Sequence, residues 1–126
     1  MSREKTLELK LDFGEDGRKL RPVSTVDYET NETLIVGSIN KEALEKTIET
    51  GYATYWSTSR NELWTKGLTS GDLLKIREIR VNCEQTSYLY IADIVGNGAC
   101  HSKDENGRTR KSCFYRRINN GKLEYV

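Results

Sequence analysis

At 126 residues the chain is the size of one domain and long enough to bury a core. A net charge of +1, with 36% hydrophobic and 31% charged residues, excludes the strong field of a nucleic-acid or anionic-membrane binder. No apolar run approaches the about 20 residues of a membrane span, and the start, MSREKTLELKLDFGEDG, has no apolar signal-peptide core. A cytoplasmic protein with reduced thiols is therefore expected.

In chain order, Leu7, Leu9, Leu11 and Phe13 alternate with polar residues and predict a strand, followed by a turn at 14–17. Pro22 to Tyr28 and Thr33 to Gly37 predict two more strands around a turn at 30–32. Residues 40–51 predict the one main helix. Asn40 suits the N-cap, Glu42 the first turn and Gly51 the end, with Leu44 and Ile48 sharing a face. Tyr52 to Thr58 is aromatic and threonine-rich, an extended pattern that Leu63 to Lys66 would meet antiparallel. Leu73 to Cys83 alternates, Tyr88 to Val95 reads as a strand, and Gly96-Asn97-Gly98 ends it. Residues 102–111 are a hydrophilic, mobile loop. Cys113 to Ile118 then pairs with Lys122 to Val126 through Asn119-Asn120-Gly121. The expected fold is α+β: a β-rich single domain, 1–126, with one main helix.

The chemistry-bearing residues are three cysteines, Cys83, Cys100 and Cys113, and the single histidine, His101. An odd count cannot close into disulfides without a remainder. Three thiolates are one short of a closed tetrahedral zinc site, and an open position can hold water for hydrolysis. No CxxC pair supports this, so two readings stay open: metal ligands, or three small buried side chains. Their places at strand ends and in a glycine loop favour a site. His101 cannot share a metal with Cys100 in extended backbone, where neighbours point to opposite faces, but it can serve as a base beside the metal.

Two loops, Ser57-Thr58-Ser59-Arg60 and Lys66-Gly67-Leu68-Thr69-Ser70-Gly71, mix hydroxyls with cations and suit phosphate oxygens or plain hairpin tips. Arg108, Arg110, Lys111, Arg116 and Arg117 make a basic end that is either functional or a solvated face. Trp56 and Trp64 suit the core or stacking on a base.

Taken together, Asn40-KEAL, ETGYATYWSTSRNELWTKGLTSG (49–71), Ile79-RVNC, Gly98-ACH and Arg110-KSCFYRR resemble the phosphoribosyl-AMP cyclohydrolase family of histidine biosynthesis, in that family's order. The resemblance covers most of residues 20–118 and leaves the first 20 or so outside. It implies a homodimer with the active site at the interface. Zinc would be held by Cys83 of one chain and by Cys100 and Cys113 of the other. The reaction implied is hydrolysis of the N1–C6 bond of the adenine ring of 1-(5-phosphoribosyl)-AMP by a metal-activated water, with His101 as base. Substrate binding would fall to Trp56, Ser57, Ser59, Arg60, Trp64, Lys66, Thr69, Ser70 and Gly71, helped by Arg110 and Lys111. Family members carry Asp-Cys-Asp-x-Asp around the first zinc cysteine, and those carboxylates bind magnesium. Here Asn82, Glu84 and Thr86 occupy the three positions, which should weaken a magnesium site severely. Leu68 replaces a usual glutamate, Gly37-Ser38-Ile39 replaces Ala-x-Met, and the 100–113 interval is longer than usual. These departures leave a second expectation: a non-catalytic or altered-specificity paralogue that binds zinc and a phosphorylated purine nucleotide.

Overall fold

The computed structural model describes residues 2–126. After a short 3-10 turn (Arg3–Lys5), eight strands and one α-helix follow in chain order: β1 (Arg21–Asp27), β2 (Thr33–Ile39), α1 (Lys41–Thr50), β3 (Thr54–Ser57), β4 (Glu62–Thr65), β5 (Leu74–Val81), β6 (Tyr88–Ile94), β7 (Arg116–Asn119) and β8 (Lys122–Tyr125). The expected β-rich α+β domain is what forms. Four strands make the main sheet in the order β2-β1-β6-β5. β1 and β6 run parallel and the flanking pairs antiparallel. β3–β4 and β7–β8 are separate hairpins. No helix among the described residues is long and apolar enough to cross a membrane.

The helix and the β3–β4 hairpin cover one face of the main sheet, next to β2. Alternation along β1 sends Val23 and Thr25 into that layer, where they meet Leu34, Tyr55 and Tyr90, all buried. The core is aromatic, and its hydroxyls are paired across the layers. Tyr55 Oη lies 2.6 Å from Thr25 Oγ1, and Tyr90 Oη donates to Thr47 Oγ1 at 3.2 Å. Burial pushes the Tyr90 phenol up to about 12, so it stays a neutral donor. Thr47 Oγ1 also donates to the Ala43 carbonyl and accepts the Thr54 N–H. One hydroxyl thus ties helix, hairpin and sheet together.

Asn40 caps α1 by accepting the Ala43 N–H at 2.8 Å, and Gly51 ends it in the left-handed region, both as the sequence indicates. The inward helix face is Ala43, Leu44 and Thr47; Ile48, expected to join Leu44, is exposed. The anticipated strand over 7–13 does not form. β1 already has neighbours on both edges, and the segment is held instead by side chains: Gln85 Oε1 accepts the Lys10 N–H at 2.7 Å. Phe13 still buries, stacked on Tyr88, while Leu7 and Leu9 are exposed. The strand expected to open at Cys113 begins at Arg116, because the Cys113 N–H bonds the Leu34 carbonyl at 2.7 Å. The loop expected to be mobile, 102–111, is folded back on itself. Lys103 bridges Thr109, and Asp104 Oδ1 accepts the N–H groups of Asn106 and Arg108 at 2.9 Å.

Replacing Thr47 by Val should strand the Thr54 N–H and the Tyr90 hydroxyl in the core and cost about 3 kcal/mol of stability. Urea unfolding of Thr47→Val beside Thr47→Ser, which keeps the hydroxyl and much of the stability, checks this.

Candidate functional site

The site is built by two backbone seams. The chain leaves β6 at Ile94 and turns through 96–98, where Gly98 lies so close to the 110–111 backbone that a Cβ would stand 2.4 Å from the Arg110 carbonyl oxygen. This approach lets the Ala99 N–H reach the Lys111 carbonyl at 2.8 Å, and the Cys100 N–H reach Arg110 O at 3.1 Å. The Arg110 N–H returns to Ser102 O at 3.2 Å. The second seam is the Cys113 N–H on Leu34, with Ser112 Oγ donating to Thr33 O at 2.6 Å. Together they set Cys100 and Cys113 side by side, close enough for each to shift the other's titration.

The two thiols are unequal. Burial pushes Cys100 up. The Ser102 hydroxyl at 3.0 Å, the Ser102 N–H at 3.4 Å, the Cys113 thiol and the Arg110 charge outweigh it and hold Cys100 below the ordinary thiol range. Cys113 is pushed up by burial and then by the negative charge its neighbour acquires. The pair therefore surrenders its first proton easily and its second reluctantly, as a bare dithiol does before a cation neutralises it.

Facing the thiols is the loop after β4. Gly67, at φ +85°, turns so tightly that a Cβ would fall 2.2 Å from the Asp72 carbonyl carbon. Lys66 is buried beneath the loop and donates its ammonium to the Asp72 carbonyl at 2.6 Å. Burial lowers the Lys66 pKa, while Asp72 and Cys100 draw it back up. Asp72 Oδ1 accepts the Asn97 N–H at 2.8 Å, fastening this loop to the one that carries Cys100.

The result is a cleft of about 630 Å³, with Trp64, Lys66, Thr69 and Ser70 on one side and Cys100, His101 and Cys113 on the other. Arg60 stands at its rim. These eight expected residues are brought together. Others are not. Trp56 lines a separate cavity of about 750 Å³ beside the N-terminus of α1, with Arg18, Asn40 and Lys41. Ser57 and Ser59 sit at the β3–β4 tip, where Ser57 Oγ accepts the Arg60 N–H at 3.3 Å. Gly71 closes its loop with an N–H bond to Gly67 O at 2.8 Å. Arg110 stacks on the Tyr115 and Tyr125 rings, 4.1 and 5.1 Å from their centroids. Lys111 is held by Asp27 at 3.0 Å and Glu32 at 2.9 Å. Composition gave no sign of two further contributors, Ser102 and Asp72. The hydroxyl two residues beyond Cys100 and the acid following Thr-Ser-Gly were the available signals.

Cys83 lies elsewhere. It is in the turn before β6, whereas Cys113 is bonded to Leu34 on β2, across β1 from Tyr90 and Ile91, with Cys100 beside it. The three thiols do not fall within 4.8 Å of one another among the described residues. Cys83 is exposed and shares its surroundings with Glu4 and Glu84, their ligand atoms within 4.8 Å of one another. The flanking residues do not suit magnesium. Asn82 Oδ1 already accepts the N–H groups of Thr86 and Ser87 at 2.7 and 3.0 Å, and Asn82 Nδ2 donates to Thr86 Oγ1. Asn82 and Thr86 are the internal scaffold of a turn, leaving Glu84 as the one hard anionic donor among the three.

Comparison with known proteins gives one consistent result. The family model described as phosphoribosyl-AMP cyclohydrolase matches residues 35–115. A phosphoribosyl-AMP cyclohydrolase of Desulfatibacillum aliphaticivorans is 46% identical over 94% of this chain and 89% of its own. One from Hyphomonas neptunium is 45% identical over 99% of this chain and 88% of its own. The histidine biosynthesis bifunctional protein of Aquifex aeolicus is 43% identical over 92% of this chain, which spans 53% of that longer protein.

In metal-free protein the alkylation rate of Cys100 should rise at a lower pH than that of Cys113, since the lowered group becomes thiolate first. Ser102→Ala should shift the Cys100 profile to higher pH. Iodoacetamide labelling across pH, read by peptide mass, measures both.

Proposed function

The chain belongs to the phosphoribosyl-AMP cyclohydrolase family, a family of hydrolases acting on a cyclic C–N bond, and on that premise we propose that two copies build a shared zinc site that hydrolyses the N1–C6 bond of 1-(5-phosphoribosyl)-AMP in histidine biosynthesis. The observation that carries the shared site is the separation of the thiols within one chain. With Cys83 in the turn between β5 and β6, and Cys113 bonded to β2 on the far side of β1, one ion does not reach all three thiols of one chain. Two copies in a closed symmetric pair bring each Cys83 to the other copy's Cys100 and Cys113.

The donor set fits zinc: a soft ion suits thiolates, and the Cys100–Cys113 pair already gives up one proton readily. Zinc held by the three thiolates would keep room for one water and would lower that water's pKa. The chain's own residues supply the rest. Trp64, half-buried in the cleft, offers a face for the purine to stack on. Thr69 and Ser70 offer hydroxyls, and Arg60 a guanidinium, to the phosphates. Lys66 holds its loop through Asp72 and adds positive potential beneath the thiolates. The substituent on N1 makes C6 electron-poor. Water adding at C6 must lose a proton, and N1 must take one up as the C6–N1 bond breaks. His101, exposed on the cleft wall, is placed to accept the first and return the second. Magnesium is given no step, because Asn82 and Thr86 are committed to their turn.

Two outcomes follow. Cys83→Ser and Cys113→Ser should each be inactive, and refolding them together should restore about a quarter of wild-type turnover, because half of the dimers are mixed and each keeps one intact site. A mixture of folded chains that stays inactive would overturn the shared site. His101→Ala should lower kcat by about 10²- to 10⁴-fold with zinc content unchanged; turnover with the substrate and metal analysis of the same sample check it.

A further inference from the structure

Two segments outside residues 35–115 carry apolar side chains with nothing over them. The first is the C-terminal hairpin. Ile118 pairs with Leu123 and Arg116 with Tyr125, so these four share one face; Arg117, Asn119, Lys122 and Glu124 share the other. The polar face is complete, with Arg117 bonded to Glu124 at 2.8 Å. On the apolar face Tyr125 meets Tyr115 and Arg110, but Ile118 and Leu123 are 82% and 57% exposed. Among the described residues no helix or other strand packs substantially against this hairpin. An isolated two-stranded hairpin is marginal in water, and a one-sided apolar face normally lies on a neighbour.

The second segment is 3–11. Leu7 and Leu9 alternate as a strand would, yet stand 106% and 80% exposed. This segment is tied to the turn that holds Cys83. The Gln85 amide donates to the Arg3 and Glu8 carbonyls at 3.3 and 3.2 Å and accepts the Lys10 N–H, and Glu4 lies against Cys83 and Glu84.

The shared site joins these two observations, and the inference rests on that reading. Thiolates on one zinc lie about 4 Å apart. Cys83 at that distance from the second copy's Cys113 carries segment 3–11 to the start of the second copy's hairpin, which follows Cys113 directly. We propose that Leu7 and Leu9 of one copy seat on the Ile118–Leu123 face of the second copy's C-terminal hairpin, so that the termini clamp each shared cysteine site from outside.

The test places a benzophenone amino acid at position 118 of the full chain, mixed and refolded with isotope-labelled wild-type chain. Illumination should give cross-links between labelled and unlabelled chains that map to residues 2–13. In parallel, Ile118→Ser with Leu123→Ser, both at exposed positions, should weaken the dimer at least about tenfold in sedimentation equilibrium. Leu7→Ser with Leu9→Ser should do the same. A zinc-loaded dimer with cross-links only within one chain, or to another region, overturns this proposal and leaves the shared site standing. So does a dimer whose affinity neither pair of substitutions changes. A monomer with full zinc occupancy overturns both.

Discussion

The seam between residues 98–102 and 110–113 is the constraint on which the site depends. Three backbone hydrogen bonds hold it, and they form because Gly98 has no Cβ to strike the Arg110 carbonyl. Without that approach Cys100 and Cys113 would be two unrelated thiols at opposite ends of a polar loop. With it they sit together, and Ser102, on the same loop, hydrogen-bonds the Cys100 sulfur and favours its thiolate. The seam is itself anchored to the sheet through Leu34 and Thr33, so the thiol pair inherits the rigidity of β2.

The same economy of backbone contacts governs the opposite wall. Lys66 lies buried with its ammonium on a main-chain carbonyl, and Asp72 reaches across to the Asn97 N–H. Lys66, whose loop suited either phosphate or a plain hairpin tip, builds the loop that presents Thr69 and Ser70. Lys111, by contrast, is drawn away from the cleft by two carboxylates. A cation's neighbours, not its position in a basic run, decide where its charge is used.

Local signals were readable where a residue has few conformational choices. Asn40 and Gly51 bounded the helix because side-chain capping and a positive φ each suit a short list of residues. Alternation located β5, and Tyr88 to Val95, read as a strand, became β6. The pattern failed over 7–13, where an alternating segment met no free edge on β1, and at Ile48, where the helix turned its small face inward. Strand pattern describes what a segment can bury; whether a neighbour exists is a property of the whole sheet.

By itself the sequence determined the family, the helix and the identity of the thiols, because these rest on residue types in order. It named Asn82, Glu84 and Thr86 as a weakened magnesium position because two carboxylates are missing. The resemblance divided the thiols as Cys83 against Cys100 and Cys113; the physical reason for that division lies in the tertiary structure. The strand order puts the turn that holds Cys83 at β5 and β6 and the Cys100–Cys113 pair beside β2, with β1 between, and no spacing along the chain encodes that separation. Tertiary structure also decided that Asn82 serves its own turn and that Trp56 and Trp64 face different cavities. Proximity in a fold is set by which strands pair and in which direction, and pairing is chosen by the packing of all the layers at once.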